Sequence, residues 1–181
     1  MLNENECSRC SQILFNNNEL CLVPESMRVL KLCSLLIDGN KCLTKIPKRV
    51  IGRMVSLKVL DLSGTSVQSL PESVGCLKQL RCLFLSGMPI NFLPASLTNL
   101  GNLEILDLSR SRITELPSAL HNLKSLRHLA MDKCGHLQYL PCSISRLTSL
   151  QGLIMYGCTN LWEKGEPKKW KKVASISIWP T

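Results

Sequence analysis

Cysteine, histidine and carboxylate side chains are the groups in this sequence that could bind a metal or catalyse a reaction. Cys7 and Cys10 have the Cys-x-x-Cys spacing of half a zinc site, in which sulfur and nitrogen ligands surround the ion. No second Cys-x-x-Cys or histidine pair follows at a suitable spacing. Half of the ligands would therefore be missing, and the sequence predicts no metal site and no cofactor.

The other titratable side chains do not form a catalytic pattern. His121, His128 and His136 lack a serine, cysteine or carboxylate at a recognisable catalytic spacing. Asp61 and Asp107 occupy equivalent positions two repeats apart. Adjacent strands of a sheet are about 4.8 Å apart, so these carboxylates would be about 10 Å apart. That separation is too large for a retaining glycosidase, and we predict that the chain is not an enzyme.

The positive charge of the chain could indicate a partner. The 181 residues carry a net charge of +9, and five lysines lie in the segment EKGEPKKWKK near the end. The other basic residues are scattered, without a basic helix or stripe. A solvated surface explains this pattern, so nucleic acid and membranes are not expected as partners. Contact of the tail with acidic membranes or nucleic acid, or a nuclear-import signal, is the alternative interpretation.

The chain shows no signal that would direct it out of the cell. No apolar run approaches the roughly 18 residues of a membrane span. The start, MLNENECSRC, lacks the basic and apolar regions of a secretory signal. We therefore expect a cytoplasmic protein, with the nucleus as an alternative, whose ten cysteines are reduced.

One leucine spacing recurs along most of the chain and predicts the elements that hold these side chains in place. The repeating unit reads L-x-x-L-x-L-x-x-(N/T/S/C), followed by an (L/I/V)-P pair, as in residues 57–71, and the last unit lacks the proline. The units begin at Cys10, Leu32, Leu57, Leu80, Leu103, Leu126 and Leu150. One unit cannot bury its leucines alone, so stacked units must share a continuous core.

The two halves of each unit predict different elements. The L-x-L segment is a short strand whose alternate residues point to one side. The second half carries apolar residues three apart, such as Val74 and Leu77, which suits a short helix or 3₁₀ segment. The preceding proline sits where a helix can begin without a backbone donor. The predicted fold is α/β: a leucine-rich-repeat solenoid, or horseshoe arc, with parallel strands on the concave face and helical or 3₁₀ segments on the convex face.

The ninth position of each unit is expected to turn the chain after the strand. Polar side chains at this position can bond to exposed backbone groups. They are Asn18, Asn40, Thr65, Ser111, Cys134 and Cys158. Met88 lacks a donor, so a locally irregular turn is expected around SGMPI.

Three regions follow from these patterns. Residues 1–9 form an N-terminal extension, residues 10–161 a leucine-rich-repeat domain of about seven units, and residues 162–181 a basic C-terminal tail. Because the last coil of a solenoid needs a cap, we expect Trp162 to cover it.

The concave face is where recognition is expected, because strand side chains outside the core point there. The face combines apolar side chains with charges of both signs, which suits a protein interface with anchors and a polar rim. Ordinary surface residues are the alternative interpretation. The candidate partner-binding residues are Leu36, Lys58, Val59, Asp61, Arg81, Phe84, Glu104, Ile105, Asp107, Arg127, His128 and Ile154.

Several phrases of the sequence are similar to a known family. LKVLDLSGTSVQSLPESVGCLKQL, LEILDLSRSRITELPSALHNLKSLRHL, MDKCGHLQYLP and MYGCTNL resemble the leucine-rich repeats of plant intracellular disease-resistance proteins, the nucleotide-binding leucine-rich-repeat (NLR) receptors. The resemblance covers residues 10 to 161 and implies a protein-protein interaction module of innate immunity. Its partner would be a pathogen effector, a guarded host protein or a nucleotide-binding switch domain.

One part of that family's pattern is missing. A full receptor carries a nucleotide-binding switch ahead of its repeats, whereas no Gly-x₄-Gly-Lys-Ser/Thr loop occurs here. We therefore expect a fragment, a truncated gene product or a repeat-only relative. A free-standing intracellular leucine-rich-repeat scaffold in signalling is the alternative function.

Overall fold

The sheet is the element that organises the molecule. The computed structural model describes residues 11–24, 31–163 and 177–178. Within these residues, eight strands form one sheet in which the order across the sheet equals the order along the chain. All neighbouring strands are parallel, as the sequence predicted. The strands are β1 (Ser11–Leu14), β2 (Leu32–Leu36), β3 (Val59–Asp61), β4 (Cys82–Phe84), β5 (Ile105–Asp107), β6 (His128–Ala130), β7 (Gly152–Ile154) and β8 (Ser177–Ile178).

The strands pair in the register that the leucine spacing predicts. Leu60 of β3 pairs with Leu83 of β4, which pairs with Leu106 of β5. Leu129 of β6 continues the row. Equivalent residues of successive units are therefore direct neighbours. Strand β8 lies within the predicted basic tail and pairs with β7, an extension of the sheet that the repeat pattern did not predict.

Short helical segments form the opposite side of the solenoid, as predicted. They are helix α1 (Lys48–Ile51), 3₁₀ segments Glu72–Cys76, Ala95–Asn99, Leu120–Asn122 and Cys142–Arg146, and helix α2 (Thr159–Glu163). Pro71 shows why these segments begin where they do: it is extended, with φ of −71° and ψ of 151°. Its carbonyl accepts a 3.0 Å hydrogen bond from the Val74 amide. Proline thus precedes the segment without losing a needed donor.

The core is one continuous cluster of leucines between the sheet and the helical segments. Leu60, Leu83, Leu106 and Leu129 are each 0% exposed. The second-half residues Val74, Leu97 and Leu120 are equally buried. The predicted stacking of units on a shared core is therefore confirmed, and each coil depends on its neighbours for burial.

The turn after each strand is set by the eighth position, which the sequence analysis did not single out. This residue has a positive φ in every described unit: Asn17, Gly39, Gly64, Gly87, Arg110, Lys133 and Gly157. The amide of the eighth residue donates a hydrogen bond to the following coil where there is one, as in the 2.7 Å bond from the Gly64 amide to the Ser86 carbonyl. A left-handed residue therefore fixes the turn and links adjacent coils at the same time.

The expected irregular turn around Met88 is wrong. Gly87 before it has φ of +69°, close to the +67° of Gly64, and its amide donates to the Ser109 carbonyl at 2.8 Å. Met88 itself is only 1% exposed. The backbone conformation at the eighth position is sufficient to make the turn, so an apolar ninth residue is tolerated.

Polar ninth residues act as predicted at several turns. Asn40 is 0% exposed; its amide nitrogen donates to the Ile37 carbonyl at 2.8 Å, and its oxygen accepts the Leu20 amide at 2.9 Å. Cys134 and Cys158 use their thiols in the same way, donating to the Leu108 and Met131 carbonyls at 3.1 and 3.0 Å. These side chains therefore join one coil to the preceding coil.

Thr65 and Asn18 also bond to backbone groups at the turn, as predicted, but they do not join two coils. The Thr65 hydroxyl donates to the Leu62 carbonyl of its own coil at 2.8 Å. Asn18 is exposed, and its amide donates to the carbonyl of Asn16 at 3.1 Å. Burial at the ninth position therefore does not by itself connect two coils, because buried Thr65 bonds only within its own coil.

The cysteines divide into two groups. Seven described cysteines carry free thiols. The expectation of reduced thiols is wrong for Cys33, which is disulfide-bonded. The predicted N-terminal extension, the Cys7-x-x-Cys10 pair and the Trp162 side chain lie outside the described residues.

No helix in the described segments is long and apolar enough to cross a membrane.

Candidate functional site

The predicted partner-binding residues lie on one surface, which we call the concave surface. They occupy strands β2 to β7 or the residue before a strand. The parallel register arranges them in three rows across the sheet. The charged row is Lys58, Arg81, Glu104 and Arg127; the central row is Val59, Ile105 and His128, with Cys82; the third row is Leu36, Asp61, Phe84, Asp107 and Ile154, with Ala130.

The charged row is held at regular spacing by the backbone. The Arg81 amide donates to the Lys58 carbonyl, the Glu104 amide to the Arg81 carbonyl and the Arg127 amide to the Glu104 carbonyl, each at 2.8 Å. Arg81 also forms a 3.1 Å ion pair with Glu104; the two side chains are 61% and 34% exposed. An exposed pair of this kind contributes about 0–1 kcal/mol. Its main effect is to orient two charges toward solvent.

The central row is apolar along three neighbouring strands. Val59, Cys82 and Ile105 are half-buried and pair in register. Burial is the main cause that raises the pKa of the Cys82 thiol, and the nearby Glu104 carboxylate raises it further. The raised pKa keeps the Cys82 thiol neutral near pH 7. Because only the thiolate is a strong nucleophile, Cys82 is not activated for chemistry. This row provides apolar contact area for a partner.

The third row places an aromatic ring between two carboxylates. Phe84 pairs with Asp61 on one side and Asp107 on the other. Each carboxylate also accepts a backbone hydrogen bond: Asp61 from the Ser63 amide at 2.9 Å, and Asp107 from the Ser109 amide at 2.8 Å. One oxygen of each aspartate therefore stabilises the turn, a role that the D-x-S spacing could have indicated.

The structure does not bring the histidines together. His121 lies on the 3₁₀ segment Leu120–Asn122, His128 on β6 and His136 in the turn after β6. Among the described residues, no group of three or more histidine, cysteine, aspartate or glutamate side chains could hold a metal ion. The concave surface is suited to contact with another macromolecule, because its apolar centre lies between the charged row and the aspartates of the third row.

A second surface feature was missed by the sequence analysis. Phe92, Glu115 and Tyr139 each come directly before a Leu-Pro pair, and they line a cleft with Pro117. Phe92 and Tyr139 are 58% and 49% exposed. Alignment of the units at this position would have revealed two aromatic residues on either side of an acid. This flank cleft lies away from the strands that form the concave surface.

The protein is a leucine-rich-repeat solenoid. Three features define this class: the stacked parallel strands, the 3₁₀ segments behind them and the exposed concave surface. This fold is generally a non-catalytic scaffold, and its members generally bind protein partners. The comparison with protein families agrees with the geometry. Residues 75–164 match the model described as "Leucine-rich repeat region", and residues 31–90 match "Leucine rich repeat". Residues 31–164 therefore form a leucine-rich-repeat region.

Solved structures show the same fold. A leucine-rich-repeat protein of Leptospira interrogans is 26% identical with a TM-score of 0.76, and the match covers 93% of this chain and 48% of that one. The leucine-rich repeat domain of the type III effector XopL is 32% identical with a TM-score of 0.73, covering 80% of this chain and 52% of that one. The chain thus spans about half the length of these two relatives.

A plant protein shares the fold at lower identity. The peptide hormone receptor RGFR1, solved in complex with RGF2, is 23% identical with a TM-score of 0.62, and the match covers 90% of this chain and 34% of that one. At this identity the similarity concerns the fold alone. A search of curated protein sequences found no match.

Proposed function

We propose that this chain is a protein-interaction module and that its concave surface binds the partner. The supporting observation is the in-register arrangement of an apolar centre beside a charged border. Val59 and Ile105 lie half-buried at the centre, while Arg81 and Arg127 are exposed at the border. Interfaces commonly combine an apolar centre with a polar rim, so this surface has the composition that a partner requires.

The finer proposal is that the module belongs to a plant intracellular disease-resistance receptor of the NLR type. It is supported by the resemblance of the repeats, in which Thr65, Ser111, Cys134 and Cys158 replace asparagine at the ninth position. In that role the chain acts in the cytoplasm, with the nucleus as an alternative. It binds a pathogen effector or a guarded host protein, or it restrains a nucleotide-binding switch domain.

A pull-down with the full chain as bait tests the interaction surface. Arg127→Glu reverses an exposed charge on the concave surface, and Lys124→Glu is its matched control because Lys124 is exposed outside that surface. We expect Arg127→Glu to reduce capture of the partner and Lys124→Glu to leave it unchanged. Equal losses for the two variants would refute the assignment of binding to the concave surface.

Arg81 needs a different variant because Glu104 is its ion-pair partner. Reversal of Arg81 alone would place two negative side chains together, and the loss could arise from that repulsion. The double exchange Arg81→Glu with Glu104→Arg keeps the pair but exchanges its charges. If the partner contacts these charges directly, the double exchange should reduce capture of the partner as much as Arg81→Glu alone.

A free-standing scaffold in intracellular signalling is the second candidate, because similar LPxxIxxLxxL units occur in such proteins. Co-expression with the nucleotide-binding switch domain of a plant receptor distinguishes the two functions. If the chain binds that domain and Arg127→Glu weakens the binding, the result supports the receptor function. A transcript in which no nucleotide-binding switch is encoded upstream supports the scaffold.

A further inference from the structure

The flank cleft is a depression in the described part of the molecular surface. It lies away from the strands that form the concave surface. Its volume is about 190 Å³, smaller than the roughly 300–1,000 Å³ of clefts that hold drug-sized ligands. It is lined by residues of three successive coils, with Phe92 on the first, Glu115 on the second and Tyr139 on the third. Its size fits one side chain of a partner.

The spacing of the coils sets the geometry of the two aromatic residues. Neighbouring strands are about 4.8 Å apart. The backbones at Phe92 and Tyr139, which lie two coils apart, are therefore about 10 Å apart. Glu115 stands between them, so a cation paired with its carboxylate would be about 5 Å from the backbone of each aromatic residue. A cation interacts favourably with an aromatic face within about 6 Å of the ring centroid. A cation paired with Glu115 can therefore lie within reach of the Phe92 or the Tyr139 ring.

The second coil supplies the opposite charge. Glu115 lies between the two aromatic residues, and the Tyr139 hydroxyl donates a hydrogen bond to its Oε2 atom. This bond is the main cause that raises the pKa of Tyr139. No described group donates to the other oxygen, Oε1, of Glu115. Tyr139 thus fixes the carboxylate at the middle of the cleft and leaves one oxygen to accept a further donor.

We propose that the flank cleft binds an arginine side chain of a partner protein. The guanidinium is planar, so it can stack on an aromatic ring while its edge donates to the free oxygen of Glu115. The chain carries a net charge of +9 and does not attract cations as a whole. Recognition of a basic side chain therefore depends on these three residues.

Nuclear magnetic resonance titration of the full chain with N-acetyl-arginine amide tests the proposal. We expect saturable shifts of the Glu115 and Tyr139 amide signals. N-acetyl-citrulline amide, a neutral compound of nearly the same shape, is expected to cause none at the same concentrations. Equal binding of citrulline, or arginine shifts that are largest on the concave surface, would overturn the proposal.

Three variants assign the binding to the cleft. Glu115→Gln is expected to weaken binding about tenfold, and Phe92→Ala about two- to fivefold, the range for an exposed cation–π contact. Glu19→Gln removes the same charge as Glu115→Gln from an exposed residue of the first coil and should change nothing. Because Phe92 and Glu115 lie outside the core, the variants should keep the wild-type amide spectrum elsewhere. Binding that Glu115→Gln leaves intact would refute the site.

Discussion

Asn40 offers a direct test of how the coils are held together. Its side chain is 0% exposed and bonds to two coils: it donates to the Phe15 carbonyl of the preceding coil and the Ile37 carbonyl of its own, and it accepts the Leu20 amide. Asn40→Ala removes every one of these bonds. The groups left behind lie in or beside the core, where water cannot fully replace the lost partner.

The expected loss of stability follows from those groups. A buried group without a hydrogen-bond partner costs about 1–3 kcal/mol, and partly buried groups cost less. With the Ile37 carbonyl buried and the Leu20 amide partly buried, the free energy of unfolding should fall by about 2–4 kcal/mol. Asn18→Ala is the matched control, because Asn18 occupies the same repeat position but is exposed. It should cost no more than about 0.5 kcal/mol.

Urea unfolding followed by circular dichroism measures the free energy, and amide hydrogen exchange locates the change. In the Asn40→Ala variant, the Leu20 amide should lose its protection while the Leu106 amide in β5 keeps it. The exchange measurement remains informative if the repeats do not unfold in one step. Equal costs for Asn40→Ala and Asn18→Ala, or unchanged protection of Leu20, would refute the role of the side chain in joining coils.

Three other variants test the core, the turn and a buried thiol. Leu83→Ala should lower the free energy of unfolding by about 2–5 kcal/mol in urea denaturation. Leu14→Ala is the control: Leu14 is 57% exposed, so its truncation should cost under about 1 kcal/mol. Similar losses for the two variants would contradict the stacked core. Gly64→Ala, at φ of +67°, should lower it by about 1 kcal/mol, whereas Gly101→Ala, with open space around its Cβ position, should be neutral by thermal denaturation. Burial raises the pKa of Cys158 from 9.0 to about 11, so folding favours the neutral thiol. The contribution of this thiol to the free energy of unfolding is complete below pH 9 and is lost as the pH rises through 11. The stability advantage over Cys158→Ala should shrink by about 2–3 kcal/mol across that interval, and a constant difference would show that the thiol does not titrate there.

The arrangement of the core could be predicted from the sequence because one physical effect decides it. Leu60, Leu83 and Leu106 recur at a fixed period and their side chains contain no polar atoms, so burial is the only favourable placement for all three side chains. The same period fixes the register, because a slip would expose every leucine of a strand. The rows of the concave surface follow from that register and were predicted with it.

The turns and the flank cleft depend on effects that residue type indicates only weakly. Glycines at 39, 64, 87 and 157 are a signal for the left-handed turn, but Arg110 and Lys133 adopt the same conformation against the preference of their residue types. The cleft requires side chains of three coils, and each of them alone reads as an ordinary surface residue. Alignment of units on the Leu-Pro pair, rather than on the leucines, is the step that finds it.

The alternation of side chains along each strand separates two kinds of evolutionary change. Leu83 holds the coil together, while its neighbours Cys82 and Phe84 face the concave surface. Exchanges at outward positions that make no hydrogen bond to the turn usually alter stability by no more than about 0.5 kcal/mol. New recognition surfaces can therefore arise by substitution at these positions without rebuilding the scaffold, and a single change of partner needs no compensating change inside.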